Sequence, residues 1–248
     1  MEPWNILLLA VFGFFAGTCN VLAGGGSLLT MPAMMLFFGM DPATANGTNR
    51  VALVAQNVAA VSTFRKKGFA DFRTSLTLAA CTVPGSVAGA FAAVWISPLW
   101  FKRILAAVML GTLFVILRGG KPSPEEASGR RRRVVLTHVG MVGVGFYGGF
   151  IQAGVGFLIM ALLSGCLALD LVRVNMHKVF IVGVYMLPSL AVFAWTGHVV
   201  WVAGAFLAAG NALGGWAGAR FAVAGGERVI KAVFVVCVVV LSVKLLWG

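Results

Sequence analysis

Gly17 to Arg50 reads GTCNVLAGGGSLLTMPAMMLFFGMDPATANGTNR. It begins inside an apolar run of the kind that forms a membrane helix, and Gly24, Gly25 and Gly26 interrupt that run. Consecutive glycines have no side chains to pack and disfavour helix more than any residue except proline. In lipid, unwound backbone survives only where protein buries it or where it lines a wet cavity. The break therefore predicts a tight helical hairpin or a binding site. A second copy, GFIQAGVGFLIMALLSGCLALDLVRVNMHK, runs from Gly149 to Lys178.

The chain around these two stretches has 248 residues, 60% hydrophobic and 10% charged. A soluble domain carries about a quarter charged residues, so the composition predicts an all-α, polytopic integral membrane protein. The formal charge of +12 does not indicate nucleic acid as a partner. The basic residues fall in short loops between apolar segments, where the positive-inside rule puts them. Met1 to Asn5 has no basic residue, so the first helix is expected to be retained rather than cleaved as a signal peptide. Cys19, Cys81, Cys166 and Cys237 stand singly in apolar segments and read as small buried hydrophobes.

Apolar periodicity predicts ten helical segments, at about 5–23, 27–40, 43–64, 74–96, 99–117, 134–153, 155–169, 172–195, 200–223 and 228–247. Those at 27–40 and 155–169 are short for a span and can be half-helices. Asp41 to Asn46 aligns with Asp170 to Asn175 at a shift of 129, which also pairs Gly68 with Gly197, Gly85 with Gly214, Gly89 with Gly218 and Lys102 with Lys231. A three-residue gap then pairs Gly17 with Gly149, Asn20 with Gln152 and Gly24 with Gly156. We read a first repeat over 1–117, a cytoplasmic linker over 118–133 rich in Pro, Ser, Gly and Arg, and a second repeat over 134–248. With the N-terminus outside, 15 of the 19 basic residues lie in cytoplasmic loops, Lys178 among them, and Arg50 is one of four outside. An odd number of crossings per repeat inverts the second repeat relative to the first. Secondary transporters often have this layout, with broken helices at a midplane site. The termini are then outside a bacterial cytoplasmic (inner) membrane.

The seven acids, Glu2, Asp41, Asp71, Glu125, Glu126, Asp170 and Glu227, all fall in loops or at helix ends. The carboxylate relay of a proton pump is missing, as are metal-ligand spacing, a phosphate loop and a nucleophile motif. No enzyme activity and no cofactor are expected. Neutral polar groups instead flank the breaks: Asn20, Ser27, Asn46, Thr48, Asn49, Gln152 and Asn175, with His177 and Lys178 in the second copy. Together with Gly24, Gly25, Gly26, Gly154 and Gly156 they form the candidate substrate site. Backbone N–H groups at helix starts near Ser27 and Phe157 suit a small oxyanion without a full cation. For each polar residue taken alone, the plainer reading is a hydrogen bond between helices.

The segment Gly17 to Pro32, the stretch RKKGFADF from Arg65 to Phe72, and GGFIQAGVGF from Gly148 to Phe157 resemble the sulfite exporter TauE/SafE family of bacterial membrane permeases. The resemblance implies transport of sulfite, sulfonates or related organosulfur anions. The glycines of both breaks and the polar residues beside them are the positions it reaches. The second copy departs from the first, with Gly154-Val155-Gly156 in place of three glycines and no match to Pro32.

The reading is a secondary transporter that alternates access around a midplane anion site, with the anion and membrane lipid as partners. A homo-oligomer is compatible with the sequence. Export is favoured because each negative charge leaving an inside-negative cell gains about 2.3 kcal/mol per 100 mV. The alternatives are a proton-coupled importer using His177, an anion channel, and a redox or scaffold protein using Cys19.

Overall fold

The structure is a computed structural model and describes residues 3–118, 130–167 and 169–224. The described residues form nine α-helices and no strand: α1 (Pro3–Ala23), α2 (Ser27–Phe37), α3 (Pro42–Lys66), α4 (Phe72–Trp95), α5 (Pro98–Arg118), α6 (Arg130–Phe150), α7 (Val155–Leu167), α8 (Leu171–Trp195) and α9 (Trp201–Ala224). These follow the first nine expected segments. The tenth, 228–247, and most of the linker lie outside the described residues, as does Cys237.

Local chemistry sets the helix ends. Asp41 accepts hydrogen bonds from the Ala43 and Thr44 N–H groups at the start of α3, with Pro42 in the first turn. Asp170 does the same for Val172 and Arg173 at the start of α8. Such caps satisfy the orphan N–H groups of a helix start. Gly68 and Gly197, with φ of 83° and 77°, turn the chain after α3 and α8. Asp71 caps α4, where the Thr74 N–H and hydroxyl hold its carboxyl below the usual carboxylate range.

α1 packs beside α9, and α4 beside α6. Both pairs run parallel: Gly210 and Gly214 meet the carbonyls of Ala10 and Phe14, while Gly145 and Gly149 meet those of Thr82 and Ser86. A Cβ at any of these four glycines would collide with the neighbouring backbone, as expected of a small-residue helix interface. α3 and α8 form the centre and run antiparallel. Gly47, near the start of α3, lies against Phe193 at the end of α8, and Phe64 near the end of α3 clusters with Met176 near the start of α8.

α2 and α7 have 11 and 13 residues. At 1.5 Å per residue they measure about 16 and 20 Å, short of the ~30 Å hydrocarbon core. Each folds back on the helix before it. Phe12 of α1 meets Phe37 of α2 (ring centroids 6.2 Å apart), and Leu162 of α7 covers Gly140 of α6. α4 and α8 are long and apolar enough to cross a membrane by length and composition; the apolar stretches Leu7–Leu22, Ser27–Phe37 and Val135–Phe150 are shorter.

Polarity is arranged as a lipid solvent demands. Arg50, Asn46, Asn49, Gln56, Asn175 and Lys178 are buried, while Leu7, Phe14, Val139 and Leu213 are exposed. Trp95, Trp100, Trp195 and Trp201 are exposed at the end where α3 starts. Lys66, Lys67, Arg73 and Arg220 are exposed at the opposite end.

Two expectations are corrected. The second break is not Gly154-Val155-Gly156 but the turn from Ile151 to Gly154, and Gly156 sits in the first turn of α7. The three-residue gap is also unnecessary. α2 starts at Ser27 and α7 at Val155, a shift of 128, and the left-handed Gly24 (φ 81°) corresponds to the left-handed Gln152 (φ 61°). The apparent pairing of Gly24 with Gly156 comes from matching glycines by type. Their true relation is contact: a Cβ on Gly24 would lie 2.6 Å from the Cα of Gly156.

Candidate functional site

The two glycine breaks meet through Gly24 and Gly156, level with Gln56 in the middle third of α3. Breaking a helix frees the carbonyls of its last turn, and in a dry interior each needs a donor. Arg50 of α3 supplies donors for α6. It is fully buried, and its guanidinium donates to the carbonyls of Gly148 and Gly149 and to Asn46 Oδ1 (3.2 Å). Asn46 Nδ2 donates to the Phe150 carbonyl at 2.7 Å. Phe193 stacks 4.7 Å from the guanidinium carbon, and the Met186 sulfur lies 3.6 Å from Nη1.

Lys178 of α8 does the same for α1. Its Nζ donates to the carbonyls of Asn20 (3.1 Å) and Val21 (2.7 Å) and to Asn175 Oδ1 (2.7 Å). Asn20 and Val21 correspond to Gly148 and Gly149 at the same shift of 128. Thus α3 places a buried cation on the end of α6, and α8 places one on the end of α1. The loop reading puts Arg50 outside and Lys178 in a cytoplasmic loop, but both are interior, which corrects the expectation of a site without a full cation. The error lies in reading position along the chain; both residues sit about two turns into helices that start at capping aspartates.

The remaining polar residues fall into groups. Asn20 Oδ1 accepts from the Gly26 N–H, and its amide donates to Gln56 Oε1 at 3.2 Å. Asn49 donates to Ser27 Oγ at 3.0 Å and accepts from Thr30 Oγ1 at 2.7 Å, tying α2 to α3. Gln152 Oε1 accepts from the Tyr185 hydroxyl at 2.7 Å, and the Tyr147 hydroxyl donates to the Ala153 carbonyl. The structure groups Asn20, Gly26, Ser27 and Asn49 at the first break, Asn46 with Arg50 at the end of α6, Gln152 with Tyr185 at the second break, and Asn175 with Lys178 at the end of α1, while Gly24 touches Gly156. Asn46 and Asn175 lie near opposite ends of the antiparallel α3–α8 pair. The structure does not bring Thr48 or His177 to the breaks. Thr48 Oγ1 accepts from the Val200 N–H near the start of α9. His177 turns toward α4, with Nδ1 2.8 Å from Ser75 Oγ, beside a cavity of about 270 Å³ that Asp71 and Arg173 also line.

Sequence reasoning missed Gln56 and Tyr185, which occupy equivalent places at the shift of 129. A usable signal is present. Asn46, Asn49, Arg50, Gln56 and Asn57 follow helical spacing along one side of α3, with the apolar Leu53 in the turn between.

The balance of charge and donors is what the arrangement can use. Among the described residues, three buried N–H donors have no partner, Arg50 Nε, Gln56 Nε2 and Asn175 Nδ2, against one side-chain acceptor, Asn211 Oδ1. Neither amide can be turned to remove the surplus, because Gln56 Oε1 accepts from Asn20 and Asn175 Oδ1 accepts from Lys178. Arg50 has no carboxylate partner among the described residues, where the ion pair is the exposed Arg173–Asp170. A helix C-terminus offers about half an elementary charge, so about half of the guanidinium charge stays uncompensated. The site can therefore attract a small anion. No group of three or more metal-ligating side chains occurs among the described residues.

Comparison with known proteins finds relatives among membrane transporters. A family model described as sulfite exporter TauE/SafE matches residues 9–245. The chain is 29% identical to the "Probable membrane transporter protein YfcA" of Escherichia coli K12, across 100% of this chain and 95% of that protein. It is 27% identical to the "Probable membrane transporter protein ORF9" of a Sinorhizobium species, across 97% of this chain and 92% of that protein. It is 26% identical to a "Probable membrane transporter protein" of Haemophilus influenzae, across 98% and 94%. No solved structure matches.

Proposed function

Because the chain belongs to the sulfite exporter TauE/SafE family of membrane transporters, we propose that it is a secondary carrier of a small sulfur oxyanion, sulfite or a sulfonate, working by alternating access. The observation that carries this is the fully buried guanidinium of Arg50 beside the second break, with its Nε lacking a partner. An intramembrane cation without a counter-charge is costly, and an anionic substrate supplies that charge. With both Nη groups engaged by Met186, Asn46 and the carbonyls of Gly148 and Gly149, Nε is the guanidinium donor left for an oxyanion.

The helix arrangement supports two inverted five-helix repeats. α3 and α8 run antiparallel, the α1–α9 and α4–α6 pairs exchange partners between halves, and the breaks meet at the centre. It also supports a multi-pass chain with the Lys66 end of α3 cytoplasmic. The exposed cations gather there, and among the described residues only Lys102 and Arg103 are exposed at the other end. Removing Arg50 and Lys178 from the loop tally leaves that bias in place. The contact of Gly24 with Gly156 favours a carrier over an open channel, because the backbone closes where a pore would pass. Export needs no coupling ion under the membrane potential.

The test is anion uptake and efflux in proteoliposomes, comparing sulfite, sulfate, thiosulfate and methanesulfonate. Arg50→Gln should abolish saturable flux, and Arg50→Lys should retain part of it. Full flux in Arg50→Gln, or flux indifferent to an imposed potential, would overturn the reading.

A further inference from the structure

A groove between α3 and α9 lies away from the breaks. Its cavity, of about 260 Å³, is lined by Ser62, Thr63, Lys66, Lys67, Trp216 and Arg220, with Ala59 at its side. Two stripes at helical spacing frame it. On α3 the stripe is Val58, Ser62 and Lys66; on α9 it is Leu213, Trp216 and Arg220. Each runs from an exposed apolar side chain (Val58 at 63%, Leu213 at 62%) to an exposed cation at the helix end. The Arg220 guanidinium stacks 4.3 Å over the Trp216 ring, which fixes its position at the rim.

The geometry points to a binding site for an anionic glycerophospholipid. Its phosphodiester would sit among Lys66, Lys67 and Arg220, with Ser62, whose hydroxyl donates to the Val58 carbonyl, as the wall of the groove, and an acyl chain would lie along Val58 and Leu213. Charge complementarity selects an anionic headgroup, and the exposed apolar side chains of Val58 and Leu213, farther along the same helices, select a lipid over a free anion. Helix packing alone does not require these residues, because the α8–α4 pair packs without them at the matching positions. At the shift of 129, Ser62 is replaced by Ala191, Lys66 by Trp195, Lys67 by Thr196, Trp216 by Val87 and Arg220 by Phe91. This inference does not depend on which anion is carried.

The experiment titrates the purified full chain with phosphatidylglycerol or phosphatidylcholine and counts bound lipid by native mass spectrometry. Phosphatidylglycerol should bind saturably and at least about tenfold more tightly than phosphatidylcholine. Each cation removed should weaken it about fivefold, so Lys66→Gln/Lys67→Gln/Arg220→Gln together should weaken it by roughly a hundredfold. Ser62→Trp, which fills the groove and keeps every charge, should also abolish it, while Lys102→Gln/Arg103→Gln at the other end should leave it unchanged. Inorganic phosphate in excess should not displace the lipid. Equal binding by wild type and the triple variant, survival of binding in Ser62→Trp, or displacement by phosphate alone would overturn the proposal.

Discussion

Replacing Gly156 by alanine isolates the closure between the two breaks from every other effect. Gly156 has ordinary helical backbone, so alanine there carries no conformational penalty and gains some helix propensity. Its Cβ would nonetheless press into the Cα, carbon and oxygen of Gly24. The reciprocal change, Gly24→Ala, puts a Cβ 2.6 Å from the Gly156 Cα, about 0.8 Å inside the 3.4 Å where ordinary contact begins. Both neighbours are backbone and cannot rotate away. Overpacking of this kind costs about 1–3 kcal/mol. Gly24→Ala adds about 1–2 kcal/mol for placing an L-residue at φ 81°. Two controls calibrate the scale. Gly68→Ala, at φ 83° with open space around it, should pay the conformational cost alone. Gly111→Ala, in α5 with nothing near, should be neutral or stabilising by up to about 1 kcal/mol. The assay is thermal unfolding in detergent, where 1 kcal/mol moves Tm by about 2–4 °C at this size. The expected order from most to least stable is Gly111→Ala, wild type, Gly68→Ala and Gly156→Ala, then Gly24→Ala. A Gly156→Ala protein as stable as wild type would refute the closure, and with it the reasoning that the two breaks share one site.

Lys178→Met should destabilise by about 1–3 kcal/mol, because the Val21 carbonyl loses its donor while the Asn20 carbonyl keeps the Gly24 N–H; denaturant titration measures it. Asp71→Ala should cost about 1 kcal/mol at neutral pH as α4 loses its cap. The Asp71 carboxyl is held low in the folded protein. Its contribution is therefore complete above the ordinary carboxylate pKa and fades as pH falls through the lowered folded value, so the wild-type and Asp71→Asn stability curves should converge in acid. Cys19→Ser should leave anion flux intact, and loss of flux would favour the redox reading. In a cysteine-free background, a cysteine at Ser97 should react with an impermeant reagent added outside intact cells, and one at Ala70 should not.

Much of the helical layout was legible because it depends on local chemistry. Asp41 and Asp170 announce helix starts, and Gly68 and Gly197 announce ends, with no knowledge of what packs where. The first break was legible for the same reason. The second was displaced because the turn uses Gln152, a residue that rarely takes left-handed backbone, and no sequence rule anticipates that choice. Arg50 and Lys178 were misread because charge in a membrane sequence is assigned by distance from a loop. Here both follow a capped helix start closely along the chain yet turn inward to carbonyls that only the fold brings near. His177 was misread for the converse reason: it is adjacent to Lys178 in sequence, but the helix turns it toward Ser75.

The four tryptophans exposed at the end where α3 starts have a consequence for how the protein rides in its bilayer. Indole rings settle at the headgroup boundary and resist displacement in either direction, whereas lysine and arginine stems can stretch or fold to follow it. With Trp95, Trp100, Trp195 and Trp201 gathered at one end, against Trp216 among flexible cations at the other, the first interface is held more firmly and the opposite one is more elastic. Changes in bilayer thickness should therefore be absorbed mainly at the lysine-rich surface, altering the depth of the tryptophan end less.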